Sequence, residues 1–130
     1  MDILRLKRGD PVIKTLESKI KSMRSGQVIG LGALSWVRLK VYDLEKKEYN
    51  EIKIDGPMEL VSFTAVIAQT TEGKTGLHAH AVVSLADFST KGGHLEEAEV
   101  AATFEAIIIE SEKKVQRYFD RDIGLNLIKS

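Results

Sequence analysis

The chain carries two runs rich in apolar and β-branched residues at positions 28–42, namely Val28-Ile29-Gly30-Leu31-Gly32-Ala33-Leu34 and Trp36-Val37-Arg38-Leu39-Lys40-Val41-Tyr42. Such runs, with side chains alternating in character, are typical of β-strands. Similar segments follow at residues 49–54, 60–69, 76–85 and 100–110, and one precedes them at residues 2–7. Charged turn segments at 45–47 and 70–75 separate the strands. We therefore predict a meander of about seven mostly antiparallel strands.

A helix is predicted between the first two strands. Asp10-Pro11 looks like an N-cap followed by proline at the first helical position. Apolar residues then recur at helical spacing, which predicts an amphipathic helix over roughly residues 11–24. A short helix is predicted at 113–119, with residues 125–128 packing back. The fold class that follows is α+β, in one domain covering residues 1–130, and one helix leaves sheet surface for self-association to cover.

The composition excludes several classes of function. Lys plus Arg equals Asp plus Glu at 19 each, so the molecule as a whole has no field that would attract nucleic acid. The chain has no cysteine, which excludes thiolate ligands and disulfides. No apolar run approaches the ~20 residues of a membrane span, and no signal peptide is evident at the start. We expect a cytoplasmic protein without a membrane partner.

All three histidines lie close together in sequence, in Gly76-Leu77-His78-Ala79-His80 and Gly92-Gly93-His94-Leu95. Because successive strand residues point to opposite faces, His78 and His80 leave the same face. A chain reversal between residues 86 and 91, with a sharp bend at the two glycines, would bring His94 opposite them. Three imidazoles placed in this way match a zinc site with one open position. The alternative is that each histidine makes a local hydrogen bond, and other divalent metals also suit imidazole.

Carboxylates near this cluster are candidates for catalysis. Zinc-bound water can reach a pKa of ~7 and then act as a nucleophile, helped by a general base. Glu59 is the preferred catalytic residue, because it enters the strand that is predicted to neighbour His78, and its alternative role is a salt bridge at a strand start. Glu96 and Glu97 beside His94 are second candidates, although a charge pair after a turn is usually only solvated.

In order and spacing, several segments together resemble the PPC ("plants and prokaryotes conserved") domain: Leu4-Arg5-Leu6, Gly30-Leu31-Gly32-Ala33-Leu34, Gly56-Pro57-Met58-Glu59-Leu60-Val61-Ser62-Phe63, the two histidine motifs, and residues 100–109. The resemblance implies an α+β fold with a single antiparallel sheet, assembly as a homotrimer, and a histidine cluster similar to a metal site. Plant members bind DNA through an AT-hook arm. These 130 residues contain no such arm, so the resemblance implies DNA as a partner only weakly.

Two classes of function remain open on these grounds. One is a metal-binding, DNA-associated or regulatory module, with zinc as the expected ion. The other is a metal-dependent hydrolase or lyase that acts on a small polar ligand at the three-histidine site. Other motifs are discounted: Gly73-Lys74-Thr75 lacks the first glycine of a phosphate-binding loop, and Gly30-x-Gly32 precedes a strand instead of a helix. Ser84 lies ~13 Å along the strand from His80, too far for a hydrolase triad with Asp87.

Overall fold

The computed structural model describes residues 1–129. In chain order the elements are β1 (Asp2–Lys7), α1 (Val12–Ile20), β2 (Ser25–Asp43), β3 (Glu48–Gln69), β4 (Thr75–Ser84), β5 (Thr90–Ser111), β6 (Arg117–Asp120) and β7 (Leu125–Ile128). The α+β class is confirmed. The seven strands do not form one sheet, however, because β6 and β7 pair only with each other.

The main sheet has the strand order β1-β5-β2-β3-β4, with every neighbouring pair antiparallel. Strand β5 is long enough to pair with three others. Its beginning pairs with β4, its main length with β2 and its later part with β1. Because β5 pairs with both β2 and β4, the strands β2, β3, β4 and β5 form a closed ring.

The strands are longer and fewer than predicted within this sheet. The two runs of residues 28–42 are a single strand, β2, and the segments at 49–54 and 60–69 both belong to β3. Register shifts between Gly30 and Gly32 and between Leu34 and Trp36 disturb the pairing without ending the strand. At Gly32 the neighbouring backbone comes very close, since a Cβ there would lie 2.9 Å from the Cα of Phe104. Gly30 and Gly32 therefore allow the backbone of β5 to approach β2 closely.

The helix covers one face of the sheet with its buried residues Val12, Leu16 and Ile20. Two predictions about it are wrong. It ends at Ile20 instead of near residue 24, and Asp10 is not its N-cap, because its carboxylate accepts a hydrogen bond from the Lys7 amide at 2.9 Å.

A carboxylate of strand β5 replaces the missing side-chain N-cap of α1. Glu97 of β5 accepts hydrogen bonds from the amides of Ile13 at 2.8 Å and Lys14 at 3.2 Å. The first amides of a helix have no partner within it, and they favour a negative charge. Glu97 therefore ties the start of α1 to the sheet.

The C-terminal hairpin, which we define as β6, its turn and β7 (Arg117–Ile128), replaces the short helix predicted at 113–119. The hairpin is anchored at both ends. At its base the Gln69 amide donates to the Val115 carbonyl at 2.8 Å. At its tip the Tyr42 hydroxyl donates to the Ile123 carbonyl at 2.6 Å, and Lys47 Nζ donates to the Arg121 carbonyl at 3.2 Å. These contacts hold the hairpin across the end of the main sheet.

The core lies between α1 and the sheet and includes an edge-to-face pair of buried rings, Phe63 and Phe104, with centroids 5.1 Å apart. Large apolar side chains also remain on the other side of the sheet. The nine-residue α1 is the one helix among the described residues, and it is far shorter than the ~20 residues needed to cross a bilayer.

Candidate metal centre

The pairing of β4 with β5 brings the three histidines together. His80 lies directly opposite His94, and His78 lies two residues earlier on the same face of β4. The residues between and after them, Ala79 and Ala81, point into the core. The predicted shared face of His78 and His80 and the return of His94 opposite them are therefore confirmed.

The predicted bend at Gly92 and Gly93 is wrong, because both glycines lie inside β5 and pair with β4. The chain reverses earlier, where the amide of Phe88 donates to the carbonyl of Leu85 at 2.9 Å. Gly93 has a different role. A Cβ there would lie 2.7 Å from the Lys40 carbonyl oxygen of β2. Glycine thus allows β5 to fit between β2 and β4 next to the histidines.

The distances between the imidazoles would allow all three to bind the same ion. One ligand atom from each histidine can be chosen so that all three lie within 4.8 Å of one another. The Nε2 atoms of His78 and His80 are 3.2 Å apart. Two nitrogens bound to one zinc at ~2.0–2.1 Å with tetrahedral angles would be separated by ~3.3 Å. The spacing of this pair therefore fits zinc with little adjustment.

His94 provides a second sign that an ion fits here. Its Nδ1 atom is buried and has no hydrogen-bond partner among the described residues. A buried polar atom without a partner costs about 1–3 kcal/mol. The ring packs beside Tyr49, with centroids 5.3 Å apart, and its backbone pairs with Lys40. An ion or another bound group would satisfy a nitrogen that the fold leaves without a partner.

The electrostatics keep the imidazoles in the neutral form that binds metals. Burial lowers the pKa of His78 from its ordinary 6.5 to about 4, and positive charge on His94, Arg117 and His80 adds to the effect. Burial also lowers the pKa of His94, with a further contribution from His80. Only a neutral imidazole offers a lone pair to a metal ion. At neutral pH both rings are therefore ready to bind an ion without first losing a proton.

In the described chain none of the three candidate carboxylates belongs to the group of ligand atoms that lie within 4.8 Å of one another. Glu96 forms an ion pair with Lys40 at 2.9 Å, and this contact lowers the pKa of its carboxyl group. Glu97 caps the helix, as described above. Glu59 is exposed and lies opposite Ser84, four residues from His80, or ~13 Å along the strand. Within one chain the structure does not bring Glu59 to the histidines.

Sequence reasoning missed the part of the site that comes from the chain's tail. A pocket of about 360 Å³ lies between the histidines and the C-terminal hairpin, and its lining includes His78, His94, Tyr49 and Arg117. Arg117 and Tyr49 are distant from the histidines in sequence. The sequence around Arg117 does not predict that this residue lies near the histidines. It reaches the site because the hairpin is anchored to distant parts of the chain.

Comparison with protein-family models gave a match over most of the chain. The family model described as "Plants and Prokaryotes Conserved (PCC) domain" matches residues 2–112. A search of curated proteins found no match.

Solved structures resemble the chain along nearly its whole length. A protein from Bacteroides thetaiotaomicron described as a "putative dna binding protein" is 26% identical, with a TM-score of 0.93 and coverage of 98% of this chain and 90% of the other. A "putative DNA-binding protein" from Ralstonia eutropha is 27% identical, with a TM-score of 0.90 and coverage of 98% and 90%. A "metal-containing protein" from Archaeoglobus fulgidus is 28% identical, with a TM-score of 0.90 and coverage of 99% and 92%.

Proposed function

The chain belongs to the Plants and Prokaryotes Conserved (PCC) domain family, and on this basis we propose that it is a metal-binding module whose ion is held by His78, His80 and His94. The observation that carries the proposal is the convergence of three imidazole ligand atoms within 4.8 Å. The similarity to the Archaeoglobus protein described as metal-containing supports it.

Zinc is the ion we propose. The chain offers imidazole without thiolate, and three histidines leave one of the four tetrahedral positions open. When bound, zinc would act as a Lewis acid and lower the pKa of a water at that position. The protein's own residues position the ligands: the β4–β5 pairing aligns His80 with His94, and Tyr49 packs against the His94 ring.

Metal analysis of the purified protein tests this proposal. Protein produced without a histidine tag and without chelator should carry close to one zinc per chain, measured by plasma mass spectrometry. His78→Ala and His94→Ala should each lose most of the ion, because two remaining ligands hold zinc weakly. Glu59→Gln is the matched control and should keep it, since Glu59 pairs with Ser84, which lies ~13 Å along the strand from His80. A wild-type protein without stoichiometric metal would refute the proposal.

We propose further that the module is DNA-associated or regulatory. The support is the similarity to the two solved proteins described as DNA-binding. The formal net charge of zero makes autonomous, tight binding unfavourable, so any affinity should be weak and should fall as the salt concentration rises. Fluorescence anisotropy with a labelled duplex at 20 mM and 200 mM salt tests this, and no binding at the lower salt would remove DNA as a direct partner.

We propose a homotrimer as the assembled form. The support is the exposed apolar surface of the strands, which α1 does not cover: Ile29, Leu31, Val61, Val66, Val82, Ile107 and Ile109 are each more than a third exposed. Burial of such side chains between copies would be favourable at ~25 cal/mol per Å². Light scattering should give about three times the 14.4 kDa chain mass, and Leu31→Asp should lower it.

A metal-dependent enzyme, of hydrolase or lyase type, is the second candidate function. The observation that favours it is the pocket of about 360 Å³ beside two of the three histidines. Glu59 as its general base stays a prediction, and Glu59 could approach an ion only from another copy of the chain. A water on the open metal position, seen by X-ray absorption spectroscopy, would favour this function, whereas a fourth protein ligand would favour a structural site.

A further inference from the structure

The pocket beside the histidines has walls of two different kinds. One side consists of the imidazoles of His78 and His94, and the other is the C-terminal hairpin with Arg117 and Asn126. Apolar side chains complete the lining: Leu77, Phe119, Leu125 and Leu127. A volume of about 360 Å³ is at the small end of the range for ligand pockets, ~300–1,000 Å³. The space therefore suits a small molecule with one polar end and a short apolar part.

Arg117 faces this pocket, and within residues 1–129 the structure gives it no anionic partner. Its side chain is half-buried, and it makes one hydrogen bond among the described residues, from Nη1 to the Asn126 carbonyl at 3.2 Å. The ion pairs in the described chain involve other residues, namely Arg38, Lys40 and Lys53. Burial lowers the pKa of the Arg117 guanidinium, yet such a group keeps its charge at neutral pH. A half-buried positive charge is thus left for an external anion to neutralise.

The fold fixes the position of the backbone that carries Arg117. The hairpin that carries it is attached at its base to Gln69 and at its tip to Tyr42. The charge of Arg117 is also close enough to His78 to contribute to the low pKa of that ring. Arg117 lies beyond residues 2–112, the part of the chain that the family model matches. The feature therefore belongs to the tail of this chain.

We propose that this pocket binds a small aliphatic monocarboxylate, whose carboxylate pairs with Arg117 and whose short chain lies against the leucine and phenylalanine wall. The inference rests on the proposed metal function, because the open position of the ion would take the second contact with the ligand. A planar guanidinium matches a carboxylate through two parallel hydrogen bonds. One unpaired positive charge and apolar walls favour a singly charged organic acid over phosphate.

Calorimetric titration of the zinc-loaded full chain tests the inference with isobutyrate as the probe. Isobutyramide, which has nearly the same shape and no charge, and inorganic phosphate are the comparison ligands. Arg117→Gln is the test variant. Arg121→Gln is the matched control, since Arg121 is exposed on the turn of the same hairpin and its backbone carbonyl, which accepts from Lys47, is retained.

We expect isobutyrate to bind the wild type and Arg121→Gln equally, and to bind Arg117→Gln at least tenfold more weakly. Isobutyramide should bind the wild type at least tenfold more weakly than isobutyrate, a comparison that holds even if Arg117→Gln folds poorly. Removal of zinc should also weaken isobutyrate binding at least tenfold.

Three outcomes would overturn the inference: no binding of isobutyrate to zinc-loaded protein, equal binding to Arg117→Gln, or phosphate binding more tightly than isobutyrate. Zinc content, measured on the same samples, separates the two proposals. A protein that holds zinc but no carboxylate refutes this inference alone, whereas a protein that takes up no zinc refutes the metal function.

Discussion

His80 and His94 lie directly opposite each other on β4 and β5, and His94 is at the same time the pairing partner of Lys40 on β2. His94 therefore stands where three strands meet and where the ring of strands closes. An imidazole at such a position has little freedom to move, since its backbone is paired on both sides. Rigid placement of ligands favours metal binding, because the chain does not have to lose further conformational entropy when the ion binds.

The stability of the metal-free protein should depend on pH between about 4 and 6.5. The pKa of His78 is about 4 in the folded chain against an ordinary 6.5, so in this range the unfolded chain binds more protons. The free energy of unfolding should therefore fall as the pH falls from 6.5 to 4 and be fully restored above 6.5. His94, whose pKa is also lowered, acts in the same direction.

Urea denaturation of the chelator-treated protein at pH 7 and pH 5 measures this effect. His78→Gln removes the titrating ring, so the drop in the denaturation midpoint between the two pH values should be smaller in the variant than in the wild type. Carboxyl groups that titrate near pH 4 are common to both proteins and cancel in the comparison. An equal drop in both would show that His78 is not protected from protonation.

Loss of the Glu97 carboxylate should destabilise the protein without affecting the metal. Glu97 accepts hydrogen bonds from the Ile13, Lys14 and Ala98 amides at 2.8–3.2 Å. Removing a helix cap typically costs about 0.5–2 kcal/mol, so we expect Glu97→Ala to lose about 1–2 kcal/mol in urea denaturation. Glu96→Ala is the control and should lose less than about 1 kcal/mol, since a partly exposed ion pair contributes little. Zinc loss in Glu97→Ala would contradict the assignment of Glu97 as a cap.

The pair of buried phenylalanine rings should contribute strongly to stability. Phe104 has no exposed surface and packs edge-to-face on Phe63. Truncation of a buried phenylalanine to alanine costs about 3–5 kcal/mol, which we expect for Phe104→Ala. Phe88, which is 86% exposed, offers a control in which alanine should change the free energy of unfolding by less than about 0.5 kcal/mol. A loss of less than about 1 kcal/mol in the free energy of unfolding of Phe104→Ala would contradict this prediction, because it would mean that neighbouring side chains move in to fill the cavity.

The Tyr42 hydroxyl should control how firmly the C-terminal hairpin is held. It donates to the Ile123 carbonyl at 2.6 Å, and loss of such a bond costs about 1 kcal/mol. Native-state hydrogen exchange of hairpin amides should become about five times faster in Tyr42→Phe, since 1 kcal/mol is close to a five-fold change in local opening. Tyr49→Phe is the matched control, as the Tyr49 hydroxyl makes no hydrogen bond in the described chain. Equal exchange in both variants would refute the role of Tyr42.

The sequence predicted what depends on local pattern. The alternation around His78 and His80 indicated their shared face, and the spacing to His94 indicated that it lies opposite, because both follow from strand geometry. The predictions failed where distant residues decide the outcome. From the local sequence Asp10 looks like the helix cap. In the structure the Ile13 amide instead donates to Glu97, which is 84 residues away in the chain.

The strand lengths and the tail were missed for related reasons. Breaks are predicted from the sequence at residue 35 and at residues 55–59, yet in the sheet the pairing of β2 with β3 only shifts register between Leu34 and Trp36, and both strands continue. The hairpin has short strands of four residues each, and its position depends on contacts with Gln69 and Tyr42. No local pattern around Arg117 reports those contacts.

The closing of the ring at His94 would link the proposed ion to the stability of the fold. An ion held jointly by β4 and β5 would bind only the folded chain, because unfolding separates its ligands. Each tenfold excess of free ion over its dissociation constant would then add about 1.4 kcal/mol to the free energy of unfolding. The amount of folded protein in a cell would consequently follow the supply of zinc. When zinc is scarce, more of the chain would be unfolded, and the chain would be degraded faster.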